Sequence, residues 1–125
     1  MQTKKKVLIP IAWRDKTESV IVLDQRELPY SYKELEIKTY IEMADAIRNM
    51  VLRGAPLIGI AAAYGMALAA KAGEDLKEAD KLLRSTRPTA INLAWALNEL
   101  SPLRSYQEIL EKAKWIHQDD IERCK

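Results

Sequence analysis

The sequence has little of what marks several common kinds of protein. Its 125 residues contain one cysteine, Cys124, so no disulfide can form within the chain and a reducing, intracellular setting is expected. One histidine, His117, leaves no His-rich metal site. Four glycines and five prolines, beside 30% charged and 48% hydrophobic residues, give the composition of one folded globular domain rather than a disordered chain. The formal net charge of +2 is nearly balanced, which gives no support to a nucleic-acid surface, and the basic run Lys4-Lys5-Lys6 reads as a solvated tail. The apolar run from Val7 to Trp13 is broken by Pro10 and followed at once by charges, unlike a secretory signal. The longest uncharged stretch, Ala55 to Ala70, has sixteen residues, short of the roughly 20 that a membrane span needs. A buried core helix and no membrane partner are expected.

What is present falls into two regions, 1–39 and 40–125, which together make one domain. The first is expected to form a small antiparallel β meander from "KVLIPIAW", "SVIVLDQ" and "YSYKELEIK", with turns at Arg14-Asp15-Lys16 and Glu27-Leu28-Pro29. Beyond Thr39 the period changes to that of a helix: Ile41, Ala44, Ile47 and Val51 predict an amphipathic helix over 40–51. Pro56 suits the first turn of a second helix that runs to about Ala72 and stops at Gly73. Within it Ala55, Gly59, Ala63 and Ala67 form one row of small residues and Ala61, Gly65 and Ala69 another, so neighbours can approach closely on two sides. It reads as the central helix of a bundle.

Asp75 with Glu78 has capping-box-like spacing for a third helix, with Leu76, Ala79, Leu82 and Leu83 inward. A fourth helix is expected to start at Pro88, carry Ile91, Leu93, Trp95, Ala96 and Leu97, and end at Ser101-Pro102; a fifth begins near Ser105. The fifth carries no stop signal before Lys125, so a longer protein is expected. The fold class is α+β, mainly α: a small antiparallel sheet, then about five helices. There is no internal repeat and no low-complexity segment.

Two predicted helix starts share an arrangement, Arg53-Gly54-Ala55-Pro56 and Arg87-Pro88-Thr89. A helix start offers unpaired N–H groups and partial positive charge, and in each case an arginine stands just before it. Such a pair suits a phosphate, whose oxygens match both N–H groups and guanidinium forks, and Gly54 lets a ligand approach the backbone. On pattern alone, both arginines can equally be surface residues beside capped helices. Arg53, embedded between "NMVL" and "GAPLIGIAAAYG", fits the rim of a packed site better than open solvent. Thr89 and Asn92 can add hydrogen bonds or serve as cap and core-edge residues.

Other chemistry is weaker. His117 reads as packed or half-exposed, Cys124 as core filling, and adjacent Asp119 and Asp120 as a solvated face. Asp24 in "LDQRELP" reads as turn-stabilising rather than as a site residue. Trp13, Trp95, Trp115 and Tyr64 are assigned to core or inter-domain packing. No convincing catalytic acid, base or nucleophile stands out.

"LDQRELP", "MVLRGAPLIGIAAAYGMALA" and "TRPTAINLAWAL", in this order and at these separations, resemble the N-terminal part of the methylthioribose-1-phosphate isomerases, aldose–ketose isomerases of methionine salvage. The resemblance runs from about Val20 to the end. It departs at Leu57, where a small residue is usual, and at Ala94, where an aromatic is common. It implies that Arg53, Gly54, Ala55 and Arg87 bind the substrate, a phosphorylated sugar, with Arg87 at its phosphate. It further implies a cytoplasmic homodimer, no organic cofactor or metal, and a Rossmann-like C-terminal domain that carries the catalytic residues and is absent from this chain. Residues 1–125 alone are then expected to be inactive. Related readings are a ribose-1,5-bisphosphate isomerase and a non-catalytic scaffold like the regulatory subunits of translation initiation factor 2B. A scaffold has no need of a phosphate grip at two helix starts, so both arginines argue against it. The plainest reading is a helical interaction module with incidental arginines.

Overall fold

The computed structural model describes residues 11–24, 33–49 and 55–123. Strands β1 (Ile11–Arg14), β2 (Ser19–Asp24) and β3 (Lys33–Ile37) form an antiparallel sheet in the order β1-β2-β3, the expected meander. Its register places Ile11 opposite Val22 and Val22 opposite Leu35, while Trp13 faces Val20 and Val20 faces Ile37. Directly opposed residues share a face, so these six apolar side chains make one continuous surface toward the core. Glu36 lies on the other face, where its Oε2 accepts from Ser19 Oγ at 2.6 Å. The turn between β1 and β2 spans 15–18 rather than the expected 14–16, and Glu18 there has a φ of 52°. That left-handed backbone is held from the bundle: Lys71 Nζ donates to the Glu18 carbonyl at 3.2 Å and the Tyr106 hydroxyl to its carboxylate at 3.3 Å.

Helix α1 (Tyr40–Arg48) starts at a complete capping box. Thr39 Oγ1 accepts from the Glu42 N–H at 3.0 Å, and Glu42 Oε1 accepts from the Thr39 N–H at 3.3 Å. Its buried face is Met43, Ala44, Ala46 and Ile47, whereas Ile41, assigned inward from the sequence, is 53% exposed. The helix ends at Arg48 with Asn49 as its C-cap, and Val51 lies outside the described residues.

Helix α2 (Ala55–Lys71) is the centre of the bundle and packs against α1, α3 (Leu76–Thr86), α4 (Ile91–Leu100) and α5 (Tyr106–Arg123). Its two rows of small residues meet different neighbours. A Cβ on Gly59 would lie 2.9 Å from the Asn92 carbonyl oxygen of α4, and one on Gly65 would lie 3.2–3.3 Å from Leu83 of α3 and Met43 of α1. Beyond Lys71, Gly73 takes a φ of 75° while the Gly73 and Glu74 N–H groups return to the Ala70 and Ala69 carbonyls. Only glycine adopts this backbone without strain.

Asp75 caps α3 by accepting from the Lys77 and Glu78 N–H groups, as the sequence predicts. The start of α4 differs. Arg87 closes α3 with φ −145° and ψ 77°, residues 88–89 form a turn, and Ala90 is the N-cap. Pro88, whose ring excludes the α region for the residue before it, ends α3 ahead of Arg87, and α4 starts three residues later than expected. Along α4, Leu93, Ala96, Leu97 and Leu100 are buried, whereas Ile91 is 81% and Trp95 42% exposed. Ser101 and Pro102 end it in a turn, and Ser105 Oγ accepts from the Glu108 N–H at the start of α5. On α5, Ile109, Ala113 and Ile116 are buried and Trp115 is half-exposed.

Candidate functional site

The close approach at Gly59 brings the first turns of α2 and α4 side by side. With hydrogen as its only side chain, Gly59 lets the α4 backbone pass at Asn92 where any Cβ would collide. The C-terminal part of α5 lies beside them through Ile116 and Asp119. Pro56, Gly59, Ile60, Ile91, Asn92, Trp95, Ala96, Ile116 and Asp119 together line a cleft of about 290 Å³. Folding places the starts of α2 and α4 on one cleft.

The start of α4 is suited to an anion. Ala90 has no side-chain oxygen with which to cap it, and the Ala90 N–H is used by the Arg87 carbonyl at 3.0 Å. The first helical bond runs from the Ala94 N–H to the Ala90 carbonyl at 3.2 Å. The Ile91, Asn92 and Leu93 N–H groups therefore precede the hydrogen-bonded ladder, at the positive end of the helix dipole.

Of the predicted site residues, Ala55 is the first residue of α2 and Arg87 the half-buried C-cap of α3, three residues before the α4 N-cap. Arg53 and Gly54 lie outside the described residues, as does Cys124. Thr89 is exposed and does not cap α4. Asn92 lines the cleft. So does Asp119, read from the sequence as part of a solvated face. A signal for it was present: Asp119 follows buried Ile116 by three residues, which keeps it beside the inward stripe of α5.

Two other polar groupings are accounted for by structure. A groove of about 560 Å³ at the far ends of α2 and α4 contains Asp75, Asp80, Arg84 and Arg104. There Asp75 caps α3, Arg84 pairs with Asp80 and bonds Asn98, and Arg104 donates to the Ser101 and Leu103 carbonyls. Tyr64, buried in α2, shares a hydrogen bond of 2.8 Å with His117 Nδ1 on α5 and stacks on Trp13 of β1. Burial pushes the Tyr64 phenol well above its ordinary range, and the Asp15 carboxylate adds to the rise. Among the described residues, no three His, Cys, Asp or Glu side chains are grouped to hold a metal, and no helix is long and apolar enough to cross a membrane.

A small antiparallel sheet packs on an alanine-rich helical bundle, with a cleft between two helix starts. The chain belongs to the Initiation factor 2 subunit family, whose model it matches over residues 51–124. It is 50% identical over 95 residues to the methylthioribose-1-phosphate isomerase of Thermus thermophilus, across 76% of this chain and 29% of that protein. Crystal structures are among the proteins similar to it. That of 5-methylthioribose 1-phosphate isomerase from Pyrococcus horikoshii OT3 superposes with a TM-score of 0.86 at 34% identity, over 94% of this chain and 38% of that one. That of translation initiation factor eIF-2B, subunit delta, from A. fulgidus does so with a TM-score of 0.76 at 36% identity, over 93% and 38%. The chain spans little more than a third of the length of the curated relatives that it matches along nearly its whole extent.

Proposed function

We propose that this chain is the substrate-gripping N-terminal part of an aldose–ketose isomerase that converts 5-methylthioribose 1-phosphate into 5-methylthioribulose 1-phosphate in methionine salvage. The observation that carries the reading is the convergence of the α2 and α4 starts on one cleft, with the α4 start uncapped by any side chain. Arg53, Gly54 and Ala55 serve the α2 side and Arg87 the α4 side, the guanidinium groups and free N–H groups holding the sugar phosphate. The likeness to proteins named as this isomerase supports the substrate.

The anomeric phosphate keeps the ring from opening spontaneously, so the enzyme must fix the sugar and supply an acid. Fixing the phosphate places C1 and C2, between which hydrogen moves, without taking part in the proton transfer. Those proton-transfer groups belong to the further length that the relatives possess. Residues 1–39 and 40–125 act as one domain, since the sheet packs on the bundle through Trp13 and Glu18. The protein is a cytoplasmic homodimer that needs no metal or organic cofactor.

The test is steady-state isomerisation of 5-methylthioribose 1-phosphate by the intact protein, read as formation of the ketose. Arg87→Ala removes a charge-assisted contact and raises KM by about 10- to 100-fold, with a smaller change in kcat. Absence of both turnover and phosphate-ester binding in the intact protein would leave the scaffold reading instead.

A further inference from the structure

Asn92 stands at the second position of α4, where its amide does nothing for the fold. Asparagine is one of the poorer helix formers and usually compensates by capping a terminus, yet α4 has no side-chain cap, and among the described residues the Asn92 amide makes no hydrogen bond. The position is nonetheless closely held. The Asn92 backbone passes α2 at Gly59, and its Cβ is 3.5 Å from where a Gly59 Cβ would stand, so the half-buried side chain is set at the seam between the two helices. Side chains on a helix lean toward its N-terminus, which carries this amide toward the open N–H groups of Ile91, Asn92 and Leu93. We propose that Asn92 is a substrate-recognition residue whose Nδ2 donates to an oxygen of the sugar's phosphate, an inference that rests on the isomerase reading above.

The other side chains lining the cleft are less suited to that contact. Pro56, Ile60, Ile91 and Ile116 are apolar, and Trp95 has a single N–H on a ring that is 42% exposed. Asp119 is already engaged within the chain, and its carboxylate repels an anion. A neutral amide adds a donor to the open N–H groups, whereas an aspartate of the same shape brings a like charge to the same point. That near-identity of shape makes the exchange of one for the other an informative test.

The experiment compares the intact wild type with Asn92→Ala and Asn92→Asp, measuring KM and kcat for 5-methylthioribose 1-phosphate, inhibition by inorganic phosphate, and melting temperature. Asn92→Ala is expected to raise both KM and the inhibition constant of inorganic phosphate about 10-fold, with a smaller change in kcat. Asn92→Asp is expected to raise both by about 100-fold, because the lost donor is replaced by a like charge. The melting temperature should hold or rise in each, since alanine is the better helix former and a carboxylate suits the positive end of a helix.

A structural asparagine gives the opposite pattern, a lower melting temperature with both constants unchanged, and that result would overturn the proposal while leaving the isomerase reading intact. A KM that rises while the response to inorganic phosphate stays the same would overturn it too, since the amide would then meet the sugar and not the phosphate. Wild type that neither turns over the sugar phosphate nor binds any phosphate ester overturns the isomerase reading, and this inference with it. Either variant alone carries the comparison, so failure of one to fold leaves the test standing.

Discussion

At Gly59 a hydrogen atom is all that stands between α2 and the backbone of α4, and Gly65 poses the same question with a different answer. The nearest atom to an added Cβ at Gly59 is the Asn92 carbonyl oxygen at 2.9 Å, which belongs to a helix and cannot turn aside. At Gly65 the nearest atoms are the ends of Leu83 and the Cγ of Met43 at 3.2–3.3 Å, which can shift by a few tenths of an ångström. Gly59→Ala is therefore expected to cost about 1–3 kcal/mol, while Gly65→Ala is nearly neutral, since the strain there is offset by the gain in helix propensity. Chemical denaturation of the two variants checks this, and equal costs would mean that the α2–α4 contact is looser than described. Gly59→Ala should also raise KM, because it separates the two turns that frame the cleft.

At the scale of elements, most of the architecture was legible because local signals agreed with packing. The switch from period two to helical period beyond Thr39, the cap at Asp75 and the stop at Gly73 each depend on a few neighbouring residues. Thr39 and Glu42 form a capping box that fixes the start of α1. What was not legible depends on what each helix meets. Ile41, Ile91 and Trp95 have the right spacing for a core, yet no element covers them among the described residues. Asp119 became a cleft residue only because α5 lies beside the starts of α2 and α4. The start of α4 was misplaced because proline at the first turn of a helix and proline in the turn before one look alike locally.

That displaced start gives a direct test of what the α4 terminus is for. Ala90 is a poor N-cap, and placing an acceptor there would satisfy the free N–H groups. Ala90→Asp is expected to stabilise the fold by about 1 kcal/mol in thermal or chemical melts. If the same N–H groups hold the phosphate, the added carboxylate competes with it and KM rises by tenfold or more. A stabilised variant with unchanged KM would show that the terminus is structural only.

At the scale of the whole molecule, the sheet and the bundle meet at an aromatic column as well as at Glu18. Trp13 of β1 stacks on Tyr64 of α2 with ring centroids 5.8 Å apart, and His117 of α5 meets Tyr64 edge-on at 5.6 Å while sharing its hydroxyl. Because burial, reinforced by Asp15, holds the Tyr64 proton in the folded state, folding and alkaline pH are linked. In the unfolded chain the phenol ionises from its ordinary value of about 10, whereas in the folded chain it holds its proton to higher pH. The unfolded state then binds fewer protons, so this contribution is fully present below about pH 10 and is lost as pH rises beyond it. Tyr106 adds a smaller loss of the same sign, its phenol being raised by burial and by Glu18. Tyr64→Phe is expected to cost about 1–2 kcal/mol at neutral pH through the lost hydrogen bond, leaving His117 Nδ1 without this partner. The variant should, however, lose stability less steeply than wild type between about pH 9 and about pH 11, so the two denaturation curves converge with rising pH. Parallel curves across that range would show that the sheet and bundle are not coupled through the Tyr64 proton.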